Sequence, residues 1–92
     1  MTLKVQVVSP ERSVWSGDAR MVVARTTEGE LGVLTGHQPT LAVLGAGEVR
    51  VHAEDGEDVT ATVDGGFLSV DHDTVLVVAE RVEVGAERGA RS

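Results

Sequence analysis

Apolar and polar residues alternate with a period of two along much of the chain. The alternating runs are residues 3–7, 48–54 and 59–63. A period of two places the apolar side chains of a run on one face of a β-strand and the polar side chains on the other. Valine supplies 18 of the 92 residues, and this β-branched side chain packs well on the pleated surface of a strand. The pattern therefore predicts a protein built mainly from strands.

Two further runs, residues 19–26 and 74–79, are apolar without alternation. Such runs are typical of strands that are covered on both faces. Segments rich in glycine and aspartate separate the runs and favour chain reversals. These segments are residues 45–47, 54–57, 64–66 and 71–73. Strands then recur about every 8 to 12 residues, which indicates an antiparallel sandwich or barrel.

The end of the chain differs from the rest, because residues 85–92 are small and charged. Segments of this composition at a terminus are usually poorly ordered. We expect one all-β domain over residues 1–84 and a flexible tail over residues 85–92.

The residue inventory excludes several classes of function. Without cysteine there is no disulfide framework, thiolate zinc site, iron–sulfur cluster or cysteine nucleophile. Lys4 is the only lysine, so a phosphate-binding loop ending in Gly-Lys-Ser/Thr cannot be formed. A net charge of −7 and a single Trp and Phe argue against nucleic acid as a partner. No apolar run approaches the ~20 residues of a membrane span.

No group of residues has the spacing of a catalytic, cofactor or metal site. His37, His52 and His72 lie in separate segments, which favours solvated side chains over metal ligands. Gly45-Ala46-Gly47 lacks the third glycine and the following helix of a dinucleotide fingerprint, and we interpret it as a connection between strands. No Gly-x-Ser-x-Gly motif is present. We predict no catalytic residue, no cofactor and no metal.

The segment 27–41 stands out because it contains three glycines, a proline, two carboxylates and a histidine. Two interpretations remain open from its residues alone. It is either a surface loop whose glycines permit turning, or a docking loop that presents polar groups to a partner.

This segment also carries a resemblance. Glu28-Gly-Glu-Leu-Gly-Val-Leu-Thr-Gly-His-Gln-Pro-Thr-Leu41 resembles the Glu-Gly-Glu-Leu-Gly…Gly-His…Pro-Leu signature of the epsilon subunits of F-type ATP synthases. Further stretches of that family are resembled, in the same order, by residues 7–11, 15–17, 47–51, 65–70 and 74–79. The match covers about residues 2–84.

The resemblance implies a flattened antiparallel β-sandwich of about ten short strands in two sheets. It also implies a non-catalytic subunit of the central stalk, which binds the gamma subunit and docks on the ring of c subunits to couple proton-driven rotation to ATP synthesis. The residues that would contact the c-ring are Glu28, Glu30 and His37. The residues that would lie on or near the gamma-binding side are Ser9, Pro39 and Leu41.

The implied location is peripheral, at the cytoplasmic face of the bacterial cell membrane, with membrane contact only through the complex. Members of the family usually continue into a C-terminal helical hairpin, on which inhibition of ATP hydrolysis and nucleotide sensing depend. We expect neither property from these 92 residues, which stop near the point where the hairpin would begin. Thr35 stands where the family usually has a proline, so we expect a less restrained loop before Gly36.

Two other classes of function compete with this interpretation. One is a β-barrel that binds a small ligand in an apolar cavity, although the shortage of aromatic residues argues against it. The other is a metal-dependent enzyme of the double-stranded β-helix type, which would require histidines and a carboxylate to converge on one point.

Overall fold

A computed structural model describes residues 2–54 and 56–88, and these residues form eight β-strands. The strands are β1 (Leu3–Ser9), β2 (Arg12–Thr26), β3 (Gly29–Val33), β4 (Thr40–Ala53), β5 (Glu57–Val63), β6 (Gly66–Asp71), β7 (Thr74–Val78) and β8 (Val82–Arg88). The described residues include no helix, and therefore none that is long and apolar enough to cross a membrane. The all-β prediction is confirmed.

The strands form two layers of a flattened sandwich, and the long strands β2 and β4 belong to both. In the first layer the order is β2, β1, β7, β6 and β4, using the first halves of β2 and β4. In the second layer the order is β3, β2, β4, β5 and β8, using their second halves. Each layer therefore has five strand segments, and the backbone hydrogen bonding is continuous from one layer to the other.

The expected number of about ten strands is therefore corrected to eight. β2 has 15 residues and β4 has 14, and each contributes one segment to each layer. The interpretation of Gly45–Gly47 as a connection between strands is also wrong, because these residues lie inside β4. The pairing of β4 with β6 ends at Leu44, and its pairing with β5 begins at Gly47. Gly47 has a φ of 153°, which residues with a Cβ atom rarely adopt. Glycine therefore permits this bend between layers, as it permits a tight turn.

Seven of the eight strand pairings are antiparallel, as predicted, and the pairing of β1 with β7 is parallel. These two strands are far apart in sequence, so no hairpin constrains their direction. The β6–β7 hairpin is closed by His72 and Asp73, with φ of 50° and 60°. Positive φ at both central residues is the signature of a type I′ turn. The reversal predicted at residues 71–73 is thus present.

The core lies between the layers and consists of valine, leucine and alanine. The largest fully buried side chains are Leu3, Val7, Val22, Val33, Val49, Val51, Leu68, Val70, Val75 and Val77. Trp15 packs against this cluster from the edge. Side chains fill the inter-layer space, which argues against a barrel with a ligand cavity there.

The domain boundary predicted after residue 84 falls inside β8, which pairs with β5 as far as Arg88. Residues 89–92 of the predicted tail lie outside the described residues. The flexibility of the tail stays a prediction.

Candidate functional site

One end of the outer side of the first layer is apolar. Val43 pairs with Phe67, Phe67 with Val78, and Val78 with Val8, so these four side chains form a row across β4, β6, β7 and β1. Leu41 and Leu76 lie in the neighbouring row, where both pair with Ser69. We call these six residues the outer apolar face: Val8, Leu41, Val43, Phe67, Leu76 and Val78.

Several members of this face are well exposed. The exposed fraction is 73% for Leu41, 52% for Phe67 and 49% for Val43. Single exposed apolar residues are ordinary on a protein surface, whereas a contiguous set marks a site of interaction. Such an arrangement is typical of a surface that binds another apolar surface.

The corresponding side of the second layer is polar. Arg25 pairs with Glu30 across β2 and β3, and Arg50 lies 3.5 Å from Glu48 on β4. His52 Nδ1 lies 3.3 Å from Asp58 Oδ1 across β4 and β5. The two outer sides of the sandwich thus differ in character. The first layer carries an apolar face at one end and the ion pair between Lys4 and Asp18, at 3.8 Å, at the other.

The unbroken apolar run 74–79 was the feature of the sequence that indicated this face. Its lack of alternation predicted a strand covered on both sides, but the prediction is wrong for the chain by itself. Val75 and Val77 are buried in the core, while Leu76 and Val78 on the other side of β7 are only half-buried. In the other such run, Met21 and Val23 are likewise half-buried beside buried Val22. Val8, Val43, Phe67, Leu76 and Val78 were not among the predicted contact residues.

A groove of about 390 Å³ adjoins the outer apolar face. One wall is the β2–β3 turn with the start of β3, and the other is the first half of β4. The lining includes Glu28, Glu30, Leu41 and Val43. At its inner end the Thr27 N–H donates to the Val43 carbonyl at 2.9 Å, which ties the two walls together. The groove thus combines two carboxylates with the edge of an apolar surface.

The predicted c-ring residues do not form one cluster. Glu28 lies in the turn before β3 and Glu30 near its start, and both are exposed. His37 lies in the loop of residues 34–39, beyond the other end of β3. Five strand residues at about 3.3 Å each separate these two ends.

The β2–β3 turn and the loop 34–39 are both held by local hydrogen bonds. Thr26 Oγ1 donates to the Gly29 carbonyl at 2.6 Å and accepts from the Glu28 N–H at 3.1 Å. The His37 N–H donates to the Leu34 carbonyl at 3.2 Å, and His37 Nδ1 lies 2.8 Å from the Gln38 carbonyl oxygen. Glu28 and His37 are therefore presented on two ordered turns.

The predicted gamma-side residues lie in different surroundings. Leu41 belongs to the outer apolar face, and Pro39 is exposed in the loop immediately before β4. Ser9 ends β1 next to Val8, and its Oγ donates to the Arg12 carbonyl at 3.4 Å. Leu41 is thus the one of the three that lies within the apolar face itself.

The geometry gives no support for a metal-dependent enzyme. His52 faces Asp58, His72 Nδ1 lies 2.8 Å from Asp71 Oδ1 in a turn, and His37 lies in a loop. Within residues 2–54 and 56–88, no three histidine, aspartate or glutamate side chains are grouped as metal ligands would be.

A family model for the β-sandwich domain of the ATP synthase delta/epsilon chain matches residues 2–85. The chain belongs to this family. An ATP synthase epsilon chain of Micrococcus luteus is 57% identical over 83 residues, which cover 90% of this chain and 91% of that relative. An epsilon chain of Frankia casuarinae is 54% identical over 85 residues, covering 91% and 99%. An epsilon chain of Streptomyces avermitilis is 47% identical over 89 residues, covering 97% and 72%. The resemblance to epsilon subunits is confirmed.

Two solved structures contain chains with the same fold as this epsilon-family domain. One is a chain of the Euglena gracilis mitochondrial ATP synthase, in a structure of OSCP, F1 and the c-ring. It has a TM-score of 0.84 and 25% identity, and the match covers 90% of this chain and 53% of that chain. The other belongs to the central stalk and c-ring of the Tetrahymena thermophila enzyme, with a TM-score of 0.69, 19% identity and coverage of 90% and 66%. This chain therefore spans about half of the Euglena chain and two thirds of the Tetrahymena chain.

Proposed function

We propose that the chain is a non-catalytic subunit of the ATP synthase central stalk that couples proton-driven rotation to ATP synthesis. Its outer apolar face binds the gamma subunit, and its acidic turn and histidine loop dock on the c-ring. It acts at the cytoplasmic face of the bacterial membrane, which it touches only through the complex. Membership of the epsilon family supports the assignment to this complex, and the exposed apolar face is the observation that carries the contact with gamma.

The apolar face can supply most of the affinity for gamma. Full burial of a leucine side chain contributes about 1.5–3 kcal/mol, and Leu41 is 73% exposed. Covering Leu41 therefore contributes about 1–2 kcal/mol, and Phe67 adds a comparable contribution because it is larger and 52% exposed. Entropic costs of association reduce the total, so several residues of the face must be covered together.

The turn and the loop suit a contact of a different kind. Glu28 and Glu30 are exposed carboxylates, and His37 is a polar side chain on an ordered loop. Polar contacts at the rim of an interface fix orientation and select the partner more than they add affinity. Such contacts suit a coupling element, which must hold its register on the ring without binding it tightly.

Co-elution with gamma tests the first part of the proposal. The isolated chain should form a complex with its gamma subunit in size-exclusion chromatography, and Leu41→Asp should weaken that complex by at least tenfold. Leu34→Asp is the matched control, because Leu34 is 55% exposed but lies outside the outer apolar face. Equal weakening by both variants, or by neither, would show that the face does not bind gamma.

Charge reversal tests the second part. Glu28→Lys with Glu30→Lys should leave binding of gamma intact and lower the ratio of ATP synthesis to proton flux in the assembled enzyme. Unchanged coupling would remove these carboxylates from the ring contact. Weakening of the gamma complex by this pair would assign the groove to gamma instead, since Leu41 lines the same groove.

A further inference from the structure

The loop 34–39 is built on a type II turn. The His37 N–H donates to the Leu34 carbonyl at 3.2 Å, which closes a four-residue turn. Gly36, the third residue of this turn, has a φ of 83°, and Thr35 is not among the residues with positive φ. A positive φ at the third position alone defines type II, in which the middle peptide is flipped relative to type I. The flip decides where the Gly36 N–H points.

The second position of this turn does not fix its conformation. Proline is favoured there because its ring holds φ near −65°, but the residue present is Thr35. The middle peptide can therefore rotate between the two turn types unless something outside the turn holds it.

Asp73 supplies that outside contact. The Gly36 N–H donates to Asp73 Oδ1 at 2.8 Å, across 37 positions of the sequence. Rotation to type I would turn this N–H away from the carboxylate, so the hydrogen bond selects type II. A carboxylate acceptor also makes the bond stronger than one between neutral groups.

The position of Asp73 is itself fixed. It is the second central residue of the type I′ turn between β6 and β7, with a φ of 60°, which aspartate tolerates better than most residues. Its carbonyl accepts from the Lys4 N–H at 2.8 Å, which ties the turn to the start of β1. The backbone that carries this carboxylate is therefore held by three strands of the first layer, β6, β7 and β1.

We infer that Asp73 is a positioning residue that holds the loop 34–39, and with it His37, in the orientation that docks on the c-ring. This inference rests on the proposed function. It assigns no contact with the ring to Asp73, which acts through Gly36.

The first experiment measures the hydrogen bond itself in the isolated chain by NMR. The wild type should show a scalar coupling across the hydrogen bond between the Gly36 amide nitrogen and the Asp73 side-chain carboxyl carbon. Asp73→Gly keeps the positive φ but removes the charged acceptor, and it should speed amide exchange of Gly36 by about 10- to 150-fold. Asp73→Asn keeps a neutral acceptor and should restore part of the protection. Asp71→Asn is the control, since it removes a charge from the same hairpin without contacting Gly36.

The second experiment measures coupling in the assembled ATP synthase. Asp73→Gly should lower the ratio of ATP synthesis to proton flux, Asp73→Asn should restore most of it, and Asp71→Asn should match the wild type. Absence of the scalar coupling, or Gly36 exchange unchanged by Asp73→Gly, overturns the inference. The first of these measurements uses only the wild type, so the inference is testable even if Asp73→Gly does not fold.

The outcomes separate this inference from the proposed function. If Asp73→Gly loosens Gly36 without lowering coupling, while reversal of Glu28 and Glu30 lowers it, the positioning role is wrong and the ring contact stands. If neither change lowers coupling, the ring contact itself is wrong, and the inference falls with it.

Discussion

The start of β6 lies so close to the end of β7 that Gly66 has no space for a side chain. A Cβ atom on Gly66 would overlap the carbonyl oxygen of Val78 and lie 3.0 Å from the Ala79 Cα atom. That backbone cannot easily yield, because the Ala79 N–H donates to the Val8 carbonyl at 3.1 Å. Gly65 has nearly the same backbone, with a φ of 134° against 132° for Gly66. A Cβ atom on Gly65 would lie 3.7 Å from the Leu44 carbonyl oxygen, an ordinary contact.

The two glycines therefore separate backbone strain from steric overlap. An alanine held at such a φ costs about 1–3 kcal/mol of unfolding free energy at either position. Gly66→Ala must in addition displace β7 or the start of β6, at a cost typical of an overpacked core, about 1–3 kcal/mol more. Together this is about 2–6 kcal/mol, out of about 5–14 kcal/mol for a domain of this length. We expect Gly65→Ala to fold and Gly66→Ala to be marginal.

Urea unfolding measured by the fluorescence of Trp15, the only tryptophan, checks this difference. Trp15 packs against the core, so its emission reports on the whole sandwich. If the unfolding free energies of the two variants depend equally on urea concentration, the difference between their urea midpoints gives the difference between these free energies. If Gly66→Ala proves as stable as Gly65→Ala, the close approach of the two strands does not constrain the fold, and the reasoning from overlap is refuted.

Two other substitutions test contacts at the edges of the sandwich. A Cβ atom at Gly17 would lie 2.9 Å from the ring of Trp15 and displace it. Gly17→Val should therefore lower the unfolding free energy by about 1–3 kcal/mol and shift the tryptophan emission to the red. An unchanged emission maximum would contradict this. Thr35→Pro should raise the unfolding free energy by about 0.4–1 kcal/mol by fixing the second position of the type II turn. It should also restore the ratio of ATP synthesis to proton flux in Asp73→Gly, because proline holds the turn without the carboxylate. A ratio that stays low would show that turn type is not what the carboxylate controls.

The strands with strict alternation were predictable because burial of one face requires an apolar residue at every second position. Val49, Val51 and Ala53 are buried, and the residues between them point to solvent or to cross-strand partners. The bends of β2 and β4 were not predictable in the same way. Glycine at residues 45–47 indicates that the backbone departs from a regular strand, but whether it reverses or crosses to the other layer depends on pairing with β5 and β6. That pairing involves distant residues.

The candidate site also has features that the local sequence indicates and features that depend on distant residues. The motif 28–41 contains both carboxylates and Leu41, which line one groove in the folded chain. The apolar face as a whole was missed, because an apolar run shows that a strand avoids water without showing what covers it. The contact between Gly36 and Asp73 was also out of reach, since it joins two turns that only the folded sheet brings together.

The sharing of β2 and β4 between layers bears directly on the proposed coupling. The outer apolar face lies on the first layer, whereas Glu28 lies in a turn of the second layer, so a load passing from ring to gamma must cross from one layer to the other. In a sandwich joined only by side chains, dispersion contacts would oppose sliding of the layers, and each atom pair contributes only about 0.1–0.2 kcal/mol. Here two covalent strands and their hydrogen-bonded neighbours run through the crossing. Sliding would have to break ladder hydrogen bonds, so the fold resists the deformation that would let rotation slip.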